Sequence, residues 1–278
     1  MAAALDTALL DQLTDLASRA AAAILAIAPS DRSPRLKADQ SPVTAADEAA
    51  DAVIAEGLSQ LLPGLPVISE ERCPDAPALA PDASWALVDP LDGTREFLAG
   101  RDEYTVNIAL VSGGYPVAGV IAVPARSLIY RGIVGVGAER LRLKPGQGPA
   151  NAREASPIRC RAAPRDGVIA AVSRLHLDTA TMDFLARFPR ARQVAAGSSL
   201  KFCCVAEGSA DIYPRLAPVY AWDAAAGHAV LAAAGGAVLT PEGTPLRYSG
   251  STKAGLLIPA FIAWGDQTFV AGSRQGAG

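Results

Sequence analysis

The apolar run Trp85-Ala86-Leu87-Val88 passes without a break into Asp89-Pro90-Leu91-Asp92-Gly93-Thr94. A short apolar stretch closed by Pro and Gly reads as a buried strand. A chain with this string must therefore build a sheet that delivers two carboxylates at a strand end. The proline predicts a sharp turn, which lets Asp89 and Asp92 face one space instead of alternating across the sheet. Leu65-Pro66-Val67-Ile68-Ser69 reads as a second short strand that ends on Glu70 and Glu71. Asp89, Asp92, the Leu91 carbonyl and Glu70 form an all-oxygen donor set suited to a hard cation, Mg²⁺ before Zn²⁺. An isolated Asp-Gly is more often a turn whose Asp satisfies nearby amides, and only the whole six-residue string favours a site.

The surrounding chain can support such a sheet. Of 278 residues, 50% are hydrophobic and 19% charged, which excludes a disordered chain. Lys and Arg number 25 against 28 Asp and Glu, a net charge of −3 without blocks of one sign. That leaves no electrostatic footprint for nucleic acid or anionic lipid, so an anionic substrate has to be held locally. Leu5, Leu9, Leu13, Leu16, Ala20, Ile24 and Ile27 recur at helical spacing and predict an amphipathic helix ending before Pro29. A second helix is predicted over about 45–62, capped by Thr44 or Ser41, with Asp47 in its first turn. The segments 104–111, 116–123 and 128–136 predict consecutive antiparallel strands, with that sheet ending there.

Residues from about Lys144 to Arg165 are polar and rich in Pro and Gly, and they divide the chain into an N-terminal lobe, 1–155, and a C-terminal lobe, 156–278. Beyond them strands at 168–172, 192–195 and 210–213 alternate with helices at 179–187, 200–207 and 222–234, the pattern of an α/β lobe. Cys73, Cys160, Cys203 and Cys204 show neither metal-ligand nor secretory spacing and read as reduced, mostly buried residues. Met1 to Leu10 lacks the basic start of a signal peptide, and Ala20 to Ala28 is too short to span a bilayer, so a cytoplasmic protein without a transmembrane helix is expected. Trp85, Trp222 and Trp264 read as packing residues, and Glu48 and Asp51 as surface residues.

Glu70-Glu71, the Asp89 to Thr94 string, and Trp222-Asp223-Ala224-Ala225-Ala226-Gly227 together resemble the signatures of the inositol monophosphatase superfamily of Mg²⁺-dependent, lithium-sensitive phosphatases. Within it, 41–47, 92–97 and Gly197-Ser198-Ser199-Leu200-Lys201-Phe202-Cys203 resemble the CysQ-type 3′(2′),5′-bisphosphate nucleotidase branch. The resemblance implies an α+β or α/β fold, a layered αβαβα sandwich with a mostly antiparallel N-terminal sheet lobe and a mixed C-terminal lobe. It implies two or three Mg²⁺ per site, one held by Glu70, Asp89 and the Leu91 carbonyl, a second by Asp89, Asp92 and Asp223, about 4 Å apart as in-line displacement requires. Thr94 is then the partner of the attacking water, Asp47 accepts its proton, and Glu70 joins them in the catalytic set.

On the same ground Leu91, Asp92, Gly93, Thr94 and Asp223 meet the scissile phosphate, and Ser173, His176, Gly197 and Lys201 meet the nucleotide, with Arg215 a candidate for the second phosphate. The implied reaction is removal of the 3′-phosphate of adenosine 3′,5′-bisphosphate (PAP), with PAPS as a further substrate, in the service of sulfur assimilation. The implied partner is this small nucleotide alone, on a monomer or homodimer, with peripheral attachment to the inner face of the cell membrane left open. Inositol monophosphate or fructose 1,6-bisphosphate as substrate keeps the same metal chemistry, and a catalytically silent metal- or nucleotide-binding regulator is the reading of another class. Taken singly, Asp47 in a first helical turn favours the dipole without any chemistry, Asp223 caps a helix, and Lys201 is a solvated surface lysine.

Overall fold

A computed structural model describes residues 5–31, 33–37, 42–75, 79–80, 82–162, 164, 167–174, 178–188, 190–248 and 256–268. The first amphipathic pattern forms α1 (Thr7–Ala26), where Asp6 accepts from the Leu9 amide at 2.9 Å and caps the helix. A two-residue ladder of β1 (Arg35–Leu36) with β2 (Pro42–Val43) leads into α2 (Ala45–Leu61). Thr44 caps α2 in a capping box with Asp47.

The large sheet runs β3 (Val67–Ser69), β4 (Ser84–Asp92), β5 (Thr105–Ser112), β6 (Tyr115–Val123), β7 (Leu128–Ile133), β8 (Gly137–Arg142) and β9 (Glu154–Ile158), in that order. Only β3 and β4 pair in parallel. The predicted meander is present, but it does not end at residue 136: β8 and β9 extend it. The division at 155/156 falls inside β9, and the passage between the sheets lies after Ile158. The polar composition of 144–165 misled because an edge strand such as β9 is mostly exposed and needs few apolar residues. Between β4 and β5 a single helical turn, α3 (Thr94–Leu98), follows the aspartates.

The second sheet uses β10 (Ile169–Ser173), β11 (Arg192–Ala196), β12 (Ile212–Arg215), β14 (Ala237–Leu239) and β16 (Phe261–Trp264), in the order β11-β10-β12-β16-β14. A separate ladder joins β13 (Val219–Tyr220) to β15 (Leu257–Ile258). The sheet is mixed, parallel at β10 and antiparallel at β16. Its last two strands were not foreseen, because three or four residues of buried strand carry too little pattern to stand out. Helices α4 (Thr179–Leu185), α5 (Leu200–Ala206) and α6 (Ala225–Ala233) complete the lobe.

Side-chain alternation sets the layers. On β4 and β5, Ala86, Val88, Val106 and Ile108 face α1 and α2, while Trp85, Leu87, Ala109 and Val111 face the core shared with α5 and α6. On β10, Ala171 joins that shared core while Ala170 and Val172 pack outward with Leu185 of α4. The result is the αβαβα sandwich, with α5 and α6 as its middle layer. Gly119 of β6 is required there: a Cβ would sit 2.5 Å from the Ala226 carbonyl of α6.

His228 of α6 is 8% exposed, with Nδ1 at 3.2 Å from the Tyr248 hydroxyl. Burial pushes its pKa down to about 4. Because the folded value lies below the unfolded one, the unfolded chain takes up the proton first as the pH falls, so stability present above the unfolded pKa is lost on acidification. Between pH 7.5 and 5 this group alone should remove about 2 kcal/mol. Urea unfolding of the wild type and His228→Gln at both pH values checks it: the variant should lose less stability by that amount, and equal losses would contradict the assignment.

Candidate active site

Asp89 and Asp92 reach one space by a different route from the predicted turn. Strand β4 continues through Pro90 to Asp92, pairing Asp89 with Asn107 and Asp92 with Thr105 on β5. Three steps along β4 match two along β5, so one extra residue is accommodated in a bulge. Residues three apart would otherwise face opposite sides, and the bulge restores them to the same side. Pro90 occupies the one stretch of a central strand where a missing N–H is tolerated. Gly93 follows with φ of +94°, and a Cβ there would lie 2.3 Å from Ser198 Oγ. Only glycine fits.

The parallel neighbour β3 ends beside β4 and delivers Glu70, while the helical turn Ala221–Asp223 before α6 delivers Asp223. One oxygen each from Glu70, Asp89 and Asp223 lies within 4.8 Å of the others. Glu70 and Asp223, expected on different ions, thus share one cluster with Asp89. Asp89 Oδ1 accepts from the Leu91 amide at 3.0 Å, but Oδ2 is buried without a partner. Burial, then the charges of Glu70, Asp92, Asp223 and Asp47, push Asp89 well above the usual carboxylate range. Asp223 rises likewise through burial and then Asp92 and Glu70. Two like charges this close repel by about 3 kcal/mol at the effective dielectric of a protein site. An orphaned buried oxygen among repelling carboxylates, all of hard donor chemistry, fits a divalent cation.

Lys37 donates to Glu70 Oε1 and Glu71 Oε1 at 2.8 Å each. Burial lowers its pKa, but Glu70 and Glu71 outweigh that and the net shift is upward. Burial pushes Glu71 up to about 7 despite the same lysine. Asp47 Oδ2 accepts from the Thr44 amide at 2.8 Å and the Thr44 hydroxyl at 2.6 Å, leaving Oδ1 to accept from Thr94 Oγ1 at 3.0 Å. Capping and the Thr94 contact therefore use different oxygens and are compatible. Burial raises its pKa against the bonds from Thr44 and Thr94. Asp51 was expected on the surface, yet it is 6% exposed and accepts from Ser69 Oγ and Arg72 Nε, both at 2.6 Å. The i, i+4 spacing from Asp47 puts both acids on the inward face of α2.

The C-terminal lobe closes a cleft of about 320 Å³ over these groups. Ser173, Lys201, Arg215 and Asp223 line it, as do Leu91, Asp92, Gly93 and Thr94. Lys201 is not a surface lysine: it is 6% exposed and donates to the Ser198 and Ala196 carbonyls at 2.5 and 3.5 Å. Arg215 Nε is buried with no partner. Gly197 is not among the lining residues; its amide donates to Glu103 Oε2 at 3.1 Å, and a Cβ would lie 2.7 Å from the Glu103 carbonyl. His176, like Ser41, lies outside the described residues. Asp223 does not cap α6, since Ala224 stands at the N-cap without a side-chain bond. Lys37, Tyr220 and Ser199 were missed as site residues, and Trp222 was read only as core. Its ring stacks on Tyr220 at 4.6 Å and 15° and both line the cleft.

A fold of five αβαβα layers with a carboxylate cluster at the strand ends between its lobes defines a class, and the chain belongs to the Inositol monophosphatase family, whose profile matches residues 7–270. It is 40% identical over 258 residues, 91% of this chain and 98% of the other, to the 3′(2′),5′-bisphosphate nucleotidase CysQ of Escherichia coli (strain K12). The CysQ of Buchnera aphidicola is 35% identical over 257 residues, 92% of this chain and 93% of its own. The crystal structure of CysQ from Bacteroides thetaiotaomicron superposes with a TM-score of 0.78 at 35% identity, over 95% of this chain and 99% of that one. An inositol monophosphatase from Anabaena, at 24% identity and a TM-score of 0.73, shares the fold over 96% of this chain and 94% of its own. Among the described residues, no helix is long and apolar enough to cross a membrane.

Replacing one charge of the cluster should separate folding from cation binding. Asp89→Asn should unfold in EDTA at a midpoint no lower than the wild type, because a buried repulsion is removed, yet lose the rise in midpoint that Mg²⁺ gives the wild type. Thermal scans with and without Mg²⁺ decide it; a retained Mg²⁺ shift would take Asp89 out of the cation site.

Proposed function

We propose that this chain is a Mg²⁺-dependent 3′(2′),5′-bisphosphate nucleotidase that hydrolyses the 3′-phosphate of PAP to AMP and phosphate, with PAPS as a second candidate substrate. The observation that carries the reading is that one cleft joins the carboxylate cluster and Thr94, itself bonded to Asp47, to Arg215, whose buried Nε has no partner. Glu70, Asp89 and Asp223, with Asp92 and the Leu91 carbonyl, would hold two or three Mg²⁺, in keeping with their all-oxygen chemistry. Bound there, the cations supply positive charge for the phosphoryl oxygens and an activated water.

The chain's own residues supply the rest. Thr94 Oγ1 directs its proton at Asp47 Oδ1, so its lone pair is free to accept a proton from the attacking water. Asp47, whose affinity for a proton is raised by burial, receives the displaced one. The water oxygen bonds to phosphorus as the bond from phosphorus to the ribose 3′-oxygen breaks, and that oxygen leaves as the 3′-hydroxyl with a proton from solvent. The Leu91–Thr94 segment cradles the scissile phosphate, Arg215 meets the second phosphate as a charge-assisted donor, and Ser173 and Lys201 contact the nucleotide between them. The Tyr220–Trp222 pair offers an aromatic wall to the same space. The free thiols of Cys160, Cys203 and Cys204 are in keeping with a cytoplasmic enzyme.

Phosphate release from PAP with Mg²⁺, with and without Li⁺, against inositol 1-phosphate and fructose 1,6-bisphosphate at equal concentration tests the reading. PAP should be preferred and Li⁺ inhibitory; preference for a sugar phosphate would overturn it. Thr94→Val should lower kcat by about 10² to 10⁴ with little change in KM. Arg215→Ala should lower kcat/KM for PAP by about ten- to a hundred-fold, and far less for 3′-AMP, which lacks the second phosphate. Equal losses on the two nucleotides would remove Arg215 from that role.

A further inference from the structure

The two halves of the cleft come from different sheets, and one hydroxyl joins them. Ser199, immediately before α5, is 1% exposed. Its Oγ lies 3.1 Å from Asp92 Oδ2 and 2.9 Å from the Asp223 carbonyl, and it accepts from Asn107 Nδ2 at 3.0 Å. A serine hydroxyl has a single proton, which here is shared between a carboxylate of β4 and the backbone of the turn that carries Asp223. Asn107 Nδ2 at 3.4 Å and Thr105 Oγ1 at 3.5 Å also point at Asp92 Oδ2. Among the described residues all three side-chain donors converge on that oxygen and none on Oδ1. Ser198 Oγ donates to the Asp92 carbonyl at 2.7 Å, so two successive serines grip the backbone and the carboxylate of one residue. In an extended strand they would point to opposite faces; the left-handed Ser198, at φ of +49°, brings both round to Asp92.

We propose that Ser199 is a positioning residue for the cation site: its hydroxyl anchors Asp92 Oδ2, leaves Oδ1 to face the cation, and sets the spacing between Asp92 and Asp223 across the two lobes. The proposal rests on the reading of the carboxylate cluster as a cation site. It goes beyond that reading in assigning the alignment of the acids to a neutral, buried side chain that does not itself line the cleft. The structural alternative is a hydrogen bond that only ties α5 to the large sheet.

Calorimetric titration of Mg²⁺ into the full chain without substrate, for the wild type, Ser199→Ala and Ser199→Cys, separates the two. Ser199→Ala should bind Mg²⁺ about tenfold more weakly, as loss of a partner behind a ligand does. It should need correspondingly more Mg²⁺ for half-maximal phosphate release, while KM for PAP at saturating Mg²⁺ stays within about twofold of the wild type. Ser199→Cys keeps the volume with a weaker donor and should fall between. A purely structural bond would lower the unfolding midpoint in EDTA and leave Mg²⁺ affinity unmoved. Wild-type affinity in Ser199→Ala overturns the proposal, and so does loss of the folded state in both variants. A wild type that binds Mg²⁺ but releases no phosphate from PAP fails the nucleotidase reading alone and leaves the calorimetric comparison decisive.

Discussion

Glu70, Asp89 and Asp223 place oxygens within 4.8 Å of one another from three separate parts of the chain, and their repulsion is the constraint around which the rest is arranged. Burial strengthens that repulsion while depriving the acids of water. The fold tolerates it because Asp89, Asp92 and Glu70 are each tethered by something other than another acid. Asp89 takes the Leu91 amide, Asp92 takes donors from β5 and from Ser199, and Glu70 takes Lys37. Lys37 counters only one edge of the cluster, and Lys201, whose donors go to carbonyls, eases chiefly Asp92 through its charge. Positive charge from outside the chain is what the arrangement lacks, and that lack is the physical content of its being a metal-dependent site.

The route by which the acids meet explains what could be read in advance. That Asp89 and Asp92 share a side follows from the residue string, but the device does not. A turn at Pro90 and a bulge inside β4 predict the same juxtaposition from the same six letters, and only the pairing with β5 distinguishes them. The two amphipathic helices were legible from their periodic apolar faces and the central strands from their apolar runs, while the layered architecture came from the family resemblance. Edge strand β9 and the short β14 and β16 were not, since exposure or brevity erases the period.

The same logic divides the site. Acids at strand ends stand out as charges interrupting apolar runs, so the cluster was readable from local context and resemblance together. Lys37, Ser199 and Asn107 carry no signal of their own, and their importance exists only through contacts tens of residues away. Asp51 shows the converse: a charge at a helix position looks solvated until the strand carrying Ser69 and the turn carrying Arg72 pack over it. Gly197 was singled out as a nucleotide contact, whereas the structure keeps it out of the cleft lining and gives another reason for glycine, the Glu103 backbone behind the cleft wall.

Glu103 also shows why the two lobes behave as one framework at the site. Its carboxylate accepts from Arg174 Nε and Nη2 at 2.8 Å each and from the Gly197 amide, while its carbonyl accepts from Ser198. The guanidinium holds its carboxyl below the usual range, so this clamp stays charged where the cluster itself is under pressure to neutralise. Ser198 then passes from Glu103 to Asp92, and Ser199 from Asp92 to Asp223. A chain of short polar contacts thus runs from the surface clamp through two serines to the acids. An error in placing the lobes would be felt at the cluster as a change in the separation of Asp92 and Asp223, the distance on which chelation of a small cation depends most steeply.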